Sequence, residues 1–295
     1  MLNNEIKGFV AAIAAFLAWG LFPIFWKLLG LIPPLELLAH RVVWSLIFIC
    51  STIFFTARIK QIKQTVLNKR ARSILLLTSA LIAVNWFVFI WAVNNGHVIS
   101  SSLGYYINPL LNVVLGTIFL DEHLNRNQII AVALAGVGVL ILTVFVGGIP
   151  WVALILAGSF GGYGLLRKKL SVGSITGLGV ESLILSLPAV VYLAYLGFVG
   201  TGSFGAISLK YNLLLALSGV VTALPLVWFA YAVRRLRLST IGFIQYLAPT
   251  CMFLLGVFIY QEEFSGAHLI TFIFIWSGLA IYSIDSVKNR LQRSY

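Results

Sequence analysis

Two stretches decide how this chain folds: "YINPLLNVVLGTIFLDE" at 106–122 and "YLAPTCMFLLGVFIYQE" at 246–262. Tyr106, Pro109, Gly116 and Glu122 align with Tyr246, Pro249, Gly256 and Glu262, always at an offset of 140. The same offset carries Lys27 onto Arg167, Trp91-Ala92 onto Tyr231-Ala232 and Gly138 onto Gly278. One spacing held without gaps across most of a chain points to an internal duplication.

The surrounding composition says what is duplicated. Of 295 residues, 60% are hydrophobic and only 9% are charged, against about 25% charged in soluble domains. Apolar runs of roughly 20 residues recur throughout, each long enough to cross a bilayer as a helix. The expected fold class is an all-α membrane protein with ten transmembrane helices, near 8–29, 35–57, 73–94, 100–120, 127–147, 150–167, 177–199, 211–233, 239–260 and 267–286. Two five-helix units follow, 1–147 and 148–295. Five is odd, so the second unit enters the membrane from the side opposite the first. The expectation is a pair of inverted repeats, an architecture common among secondary transporters that bind solute between the halves.

The net charge of +12 does not argue for nucleic-acid binding, because the basic residues fall in short segments between apolar runs. With the N-terminus in the cytoplasm, seventeen of the 20 Lys and Arg residues lie on the cytoplasmic side. Both termini are then cytoplasmic, and the protein is expected to be multi-pass in a bacterial inner (plasma) membrane. The segment "RIKQIKQTVLNKRAR" at 58–72 reads either as a topological anchor or as a basic helix for lipid or a partner. Cys50 and Cys251 sit in apolar runs, without a CxxC motif or a disulfide framework. His40, His97, His123 and His268 have no metal-ligand spacing, and no P-loop appears. No metal, cofactor or nucleic acid is expected, and the chain does not read as an enzyme.

The polar residues within the runs are the candidate solute pathway. Pro109 and Pro249 are helix-break candidates at equivalent places, since a backbone break in lipid persists only where protein or a water-filled cavity satisfies it. Beside them stand Tyr105, Tyr106, Asn108 and Asn112, then Gln245 and Tyr246, with Asn85 in the preceding span. Amides and phenols bind solutes without a full charge penalty; the competing reading is interhelical hydrogen bonding. Arg41 maps onto Glu181 at the 140 offset, which places opposite charges at related positions. They read as a solute contact and a gating or proton-linked carboxylate, or as a structural ion pair. Glu36 lies nearer a span end and reads as exposed to water. Trp26, Trp151 and Tyr211 suit an interfacial belt. Gly158 and Gly162, and Gly136 with Gly138, suit close helix approach.

Particular strings then carry a resemblance. "HRVVWS" at 40–45, "NWFVFIWAVNN" at 85–95, "SLGYYINPLLNVVLG" at 102–116 and "RLRLSTIGFIQYLAPTCMFLL" at 235–255 resemble the EamA-type branch of the drug/metabolite transporter superfamily, and within it the RarD proteins, over nearly the whole chain. The resemblance implies a ten-helix permease for a small organic solute, metabolite or drug, with membrane lipids as its surroundings and protons as a candidate coupling ion. The expected activity is export by alternating access. A facilitative channel, and further off a membrane lipid-handling protein, are the alternatives.

Overall fold

The computed structural model describes residues 2–55, 59–120, 124–146, 148–233, 235–236 and 244–292. Arg58, Glu122, Arg234, Arg237 and Arg293, the "DEH" at 121–123 and residues 239–243 of the ninth expected span lie outside them. Among the described residues all regular structure is helical. Apolar runs in lipid have no water to satisfy their backbone, and the helix bonds every N–H and C=O within the segment.

The first unit holds α1 (Leu2–Leu28), α2 (Pro34–Phe55), α3 (Ile59–Leu67), α4 (Lys69–Asn94), α5 (Val98–Leu120) and α6 (Arg126–Val146). The second holds α7 (Trp151–Lys168), α8 (Ser174–Val199), α9 (Leu209–Val233), α10 (Leu247–Leu254, continued by a π turn over Leu255–Ile259) and α11 (Gly266–Gln292). Local chemistry sets several ends. Pro34 opens α2, where its missing N–H costs nothing. The Asn68 side chain accepts the Ala71 N–H at 3.0 Å and starts α4. Gly200, at φ +74°, ends α8 in the left-handed conformation that a Cβ would disfavour.

Among the described residues eight helices are long and apolar enough to cross a membrane; α7 and the α10 segment are apolar but shorter. The short α3 lies in the basic stretch between α2 and α4, and Thr176 at the start of α8 donates to the Gln61 side chain at 3.1 Å. The basic stretch is thus tied to the helical body.

The helices of the two units interleave. α1 packs on α9 and α4 on α7; α1 packs on α10 and α5 on α7; α2 packs on α9 and α4 on α8. In each of these couples the second contact is the first with the two units exchanged. Three further contacts, α2 with α8, α5 with α10 and α6 with α11, join helices at equivalent places in the two units. One packed core gathers Trp26, Leu29, Leu37, Phe89, Ile90 and Leu156 from α1, α2, α4 and α7 and the turn after α1. A second gathers Leu103, Tyr106, Ala131, Phe272 and Ile275 from α5, α6 and α11. Large apolar side chains such as Phe145, Leu187 and Phe198 point outward, as lipid contact requires.

Helix approach depends on other glycines than the paired motif suggests. Gly158 and Gly136 have nothing within 4 Å of where a Cβ would stand, and Gly162 meets only Leu81 at 3.4 Å. Close contacts are made instead by glycines such as Gly219, whose Cβ position falls against the Trp44 carbonyl, by Gly104 and Gly278, with Cβ positions each 2.7 Å from a carbonyl oxygen (of Ala153 and Ala131), and by Gly138, 3.1 Å from the Thr271 carbonyl oxygen. No neighbouring backbone lies within 4 Å of the Cβ position of Gly158 or Gly162, so the two do not bring helix backbones together.

Candidate functional site

Two polar clusters sit among the buried helices, and each is built from several of them. In the first, Arg41 of α2 is 4% exposed. Its guanidinium carbon stands 4.2 Å over the Trp86 ring and 5.1 Å over the Trp26 ring. Such faces attract a cation through the ring quadrupole. Nε and Nη1 have no hydrogen-bond partner among the described residues. The Tyr105 hydroxyl is within electrostatic reach and donates to Asn85 Oδ1 at 3.3 Å. Asn85 Nδ2 in turn donates to the Leu156 carbonyl at 3.0 Å and to Ser159 at 3.1 Å. This chain ties α4 and α5 to α7 next to the cation. Arg41 does not reach for water, and Trp26, fully buried, is a core wall and not an interfacial belt residue. Trp151 is exposed, as a belt residue would be.

In the second cluster Tyr106 of α5 and Tyr246, the residue preceding α10, stack with centroids 6.3 Å apart and planes at 17°. They are the two tyrosines related by the 140 offset. The Tyr106 hydroxyl bonds Thr250 Oγ1 at 2.6 Å, and Thr250 donates to the Tyr246 carbonyl at 2.7 Å. These residues, with Trp276, Leu279, Ala280 and Ser283 of α11, line an open groove of about 450 Å³. Asn108 is buried and its Oδ1 has no partner among the described residues. Asn112 is exposed, so the two amides differ in environment despite their four-residue spacing. Gln245 is half-buried. α5 runs through Pro109 as continuous helix, whereas Gln245 and Tyr246 form a turn before Pro249. There Ser102 of α5 donates to the Pro249 carbonyl at 2.7 Å, and the π turn over Leu255–Ile259 follows. Non-helical turns of this kind concentrate where helices line functional space.

Glu181 belongs to neither cluster, and its expected link to Arg41 is absent. Thr78 donates to its Oε1 at 2.7 Å and Tyr163 to its Oε2 at 3.2 Å. Arg167 Nη1 stands 3.9 Å from Oε1. The offset equates Arg41 with Glu181, but equivalence under a twofold does not bring two positions together. Glu36 is also not a water-facing acid. It is 1% exposed, accepts the Ser203 N–H at 2.6 Å and the Ser203 hydroxyl at 2.8 Å, and lies 3.9 Å from His40 Nε2. It anchors the connection between α8 and α9. Thr250, Trp276, Thr78, Tyr163 and Arg167 join these arrangements without any sequence motif announcing them.

Comparison with known proteins fits this architecture. A model of the EamA-like transporter family matches residues 6–144. An "Uncharacterized transporter" of Vibrio cholerae is 48% identical over 96% of this chain and 93% of its own length. "Protein RarD" of Salmonella typhi is 44% identical over 97% of this chain and 98% of its own. A solved crystal structure superposes with TM-score 0.60 over 93% of this chain and 96% of that one, at 17% identity, a likeness of fold alone. With its apolar helices and near-full-length relatives, the chain is a multi-pass membrane protein belonging to the EamA-type transporters, in their RarD group.

Proposed function

We propose that this protein is a ten-span secondary transporter of the bacterial inner membrane that exports a small organic solute by alternating access. Its pathway lies between two inverted five-helix repeats, 1–147 and 148–295, with both termini in the cytoplasm. The carrying observation is the exchange symmetry of the packing. Gly278 lies on the Ala131 carbonyl and Gly138 on the Thr271 oxygen. The offset of 140 turns the first contact into the second. Stacked Tyr106 and Tyr246 obey the same relation. Inverted repeats of this sort place solute near the midplane and work by rocking one half against the other. The family match over 6–144 coincides with the first repeat. The eight long helices and two shorter apolar ones support a count of ten, and the basic residues favour cytoplasmic ends.

In this reading the solute path involves Arg41, Asn85, Tyr105, Tyr106, Asn108, Asn112, Gln245 and Tyr246. Glu181 is a gating carboxylate and protons are the coupling ion. The relatives' transporter names favour transport over enzymatic turnover. The test begins with metabolite profiling of cells lacking or overproducing the protein, to name a solute. Counterflow of that solute in proteoliposomes is the expected result. Fluxes without counterflow would indicate a channel, and chemical conversion of the solute would indicate an enzyme.

A further inference from the structure

The geometry points to an anion-binding subsite at Arg41, so that the solute carries a carboxylate or a comparable anionic group. This rests on the transporter reading above and names the chemical class it handles.

A buried charge is costly unless paired and hydrogen-bonded. Arg41 is buried, yet Nε and Nη1 have no partner among the described residues. The described carboxylates within the helical body are all engaged elsewhere. Glu36 holds Ser203, Glu181 holds Thr78 and Tyr163, Glu262 holds the Val98 and Ile99 N–H groups at the start of α5, and Asp285 holds Asn125 and Asn127. Among the described residues no carboxylate is paired with this guanidinium.

The internal repeat shows what is missing. Lys27 and Arg41 are the counterparts of Arg167 and Glu181 at the 140 offset. In the second unit the two positions make an ion pair, Arg167 with Glu181. In the first unit the acid is replaced by a base. Lys27 is fixed by the Val93 carbonyl at 3.1 Å and lies 4.8 Å over the Tyr260 ring. One copy of the site thus contains its own carboxylate, and the other has two cations and none.

The surroundings suit a visiting anion. Trp86 and Trp26 hold the guanidinium by cation–π contact, and Nε and Nη1 have no hydrogen-bond partner among the described residues. The Trp26 indole N–H is a second buried donor without a partner. An anion there would accept charge-assisted bonds, shorter and stronger than neutral ones.

The test uses the full-length protein in nanodiscs of uncharged phospholipid. Thermal stability and tryptophan fluorescence are followed during titration with benzoate, with its neutral counterpart benzamide, with inorganic phosphate and with chloride. Benzoate is expected to bind saturably and about tenfold or more tighter than benzamide, the scale of one charge-assisted bond. Phosphate in place of benzoate as the tighter ligand would keep the site and name the other anion. Arg41→Lys should retain part of the preference and Arg41→Gln should abolish it. Equal binding of benzoate and benzamide by the unaltered protein would overturn the inference, and this comparison needs no variant to fold. So would chloride binding as well as any organic anion, which marks a structural counter-ion. Anion preference without any flux in proteoliposomes would count against the transporter reading and leave the site standing. Counterflow indifferent to solute charge would do the reverse.

Discussion

Arg167 of α7 and Glu181 of α8 form the ion pair at 3.9 Å, and the backbone of Gly177 makes room for it. A Cβ on Gly177 would coincide with the Arg167 guanidinium. Arg167 lies across the glycine because nothing projects there. The pair therefore depends on a side chain that is absent, one turn away from the carboxylate it serves.

Gly177→Ala should displace Arg167 and weaken its hold on Glu181, with the helix otherwise intact. Glu181→Ala, which removes one partner of a buried pair, should cost on the order of 3 kcal/mol in stability. The two substitutions touch one interaction, so their combined effect in thermal melts should be smaller than the sum. Additive effects would show that Gly177 and Glu181 act independently.

Glu181→Gln separates a gating role from a structural one. Glutamine keeps one acceptor oxygen, so one of the Thr78 and Tyr163 hydroxyls can still donate while the other must turn to accept from the amide N–H, and folding should survive. If Glu181 carries the coupling proton, proton-driven accumulation should vanish while solute exchange continues. Unchanged accumulation, exchange and melting temperature would leave Glu181 with neither role.

Packing between α6 and α11 gives a sharper stability forecast. Gly278→Ala drives a methyl to 2.7 Å from the Ala131 carbonyl oxygen, a backbone atom that cannot rotate away. A cost of about 1–3 kcal/mol is expected for such overpacking. Gly158→Ala meets nothing within 4 Å and should leave stability unchanged or raise it by up to about 1 kcal/mol through helix propensity. Melting temperatures in detergent check both, and an equal loss at the two glycines would contradict the packing.

These examples show what the sequence could and could not convey. The spans were legible because lipid demands long apolar helices, and the duplication because the offset survives at Tyr106, Pro109, Gly138 and their mates. Contacts were not. Gly158 and Gly162 have the spacing of a packing face, but spacing does not say which face meets a neighbour. Glu36 read as exposed because the loop that covers it, through Ser203, is 167 residues away in sequence. Arg41 and Glu181 read as partners because equivalence was mistaken for proximity. Asn85 and Tyr105 were found as polar residues in apolar runs, though their mutual hydrogen bond needed the packing of α4 on α5.

Topology is open to a direct check. In a background with Cys50 and Cys251 replaced, single cysteines at positions 3 and 292 should resist membrane-impermeant thiol reagents in intact cells and react after permeabilisation. Labelling from outside at either position would refute cytoplasmic termini, and with them the even number of spans or its orientation.

Asn108 and Tyr106 carry the last forecast. The Asn108 amide oxygen is buried without a partner among the described residues, so Asn108→Ala breaks no hydrogen bond at that oxygen and should cost little stability. If it faces solute, transport should fall by about tenfold, the scale of one lost hydrogen bond of about 1.4 kcal/mol. Tyr106→Phe keeps the stack on Tyr246 and loses the hydroxyl's bonds to Thr250 and to the Trp276 side chain. Thr250→Val loses the shared bond from the other side, together with the bond to the Tyr246 carbonyl. If the hydroxyl matters through Thr250, the combined variant should slow transport by less than the two single effects multiplied together. If it also touches solute, Tyr106→Phe should raise KM where Thr250→Val does not. Normal kinetics in Asn108→Ala and Tyr106→Phe, with full expression, would assign both residues to helix packing and move the pathway to the Arg41 side of the fold.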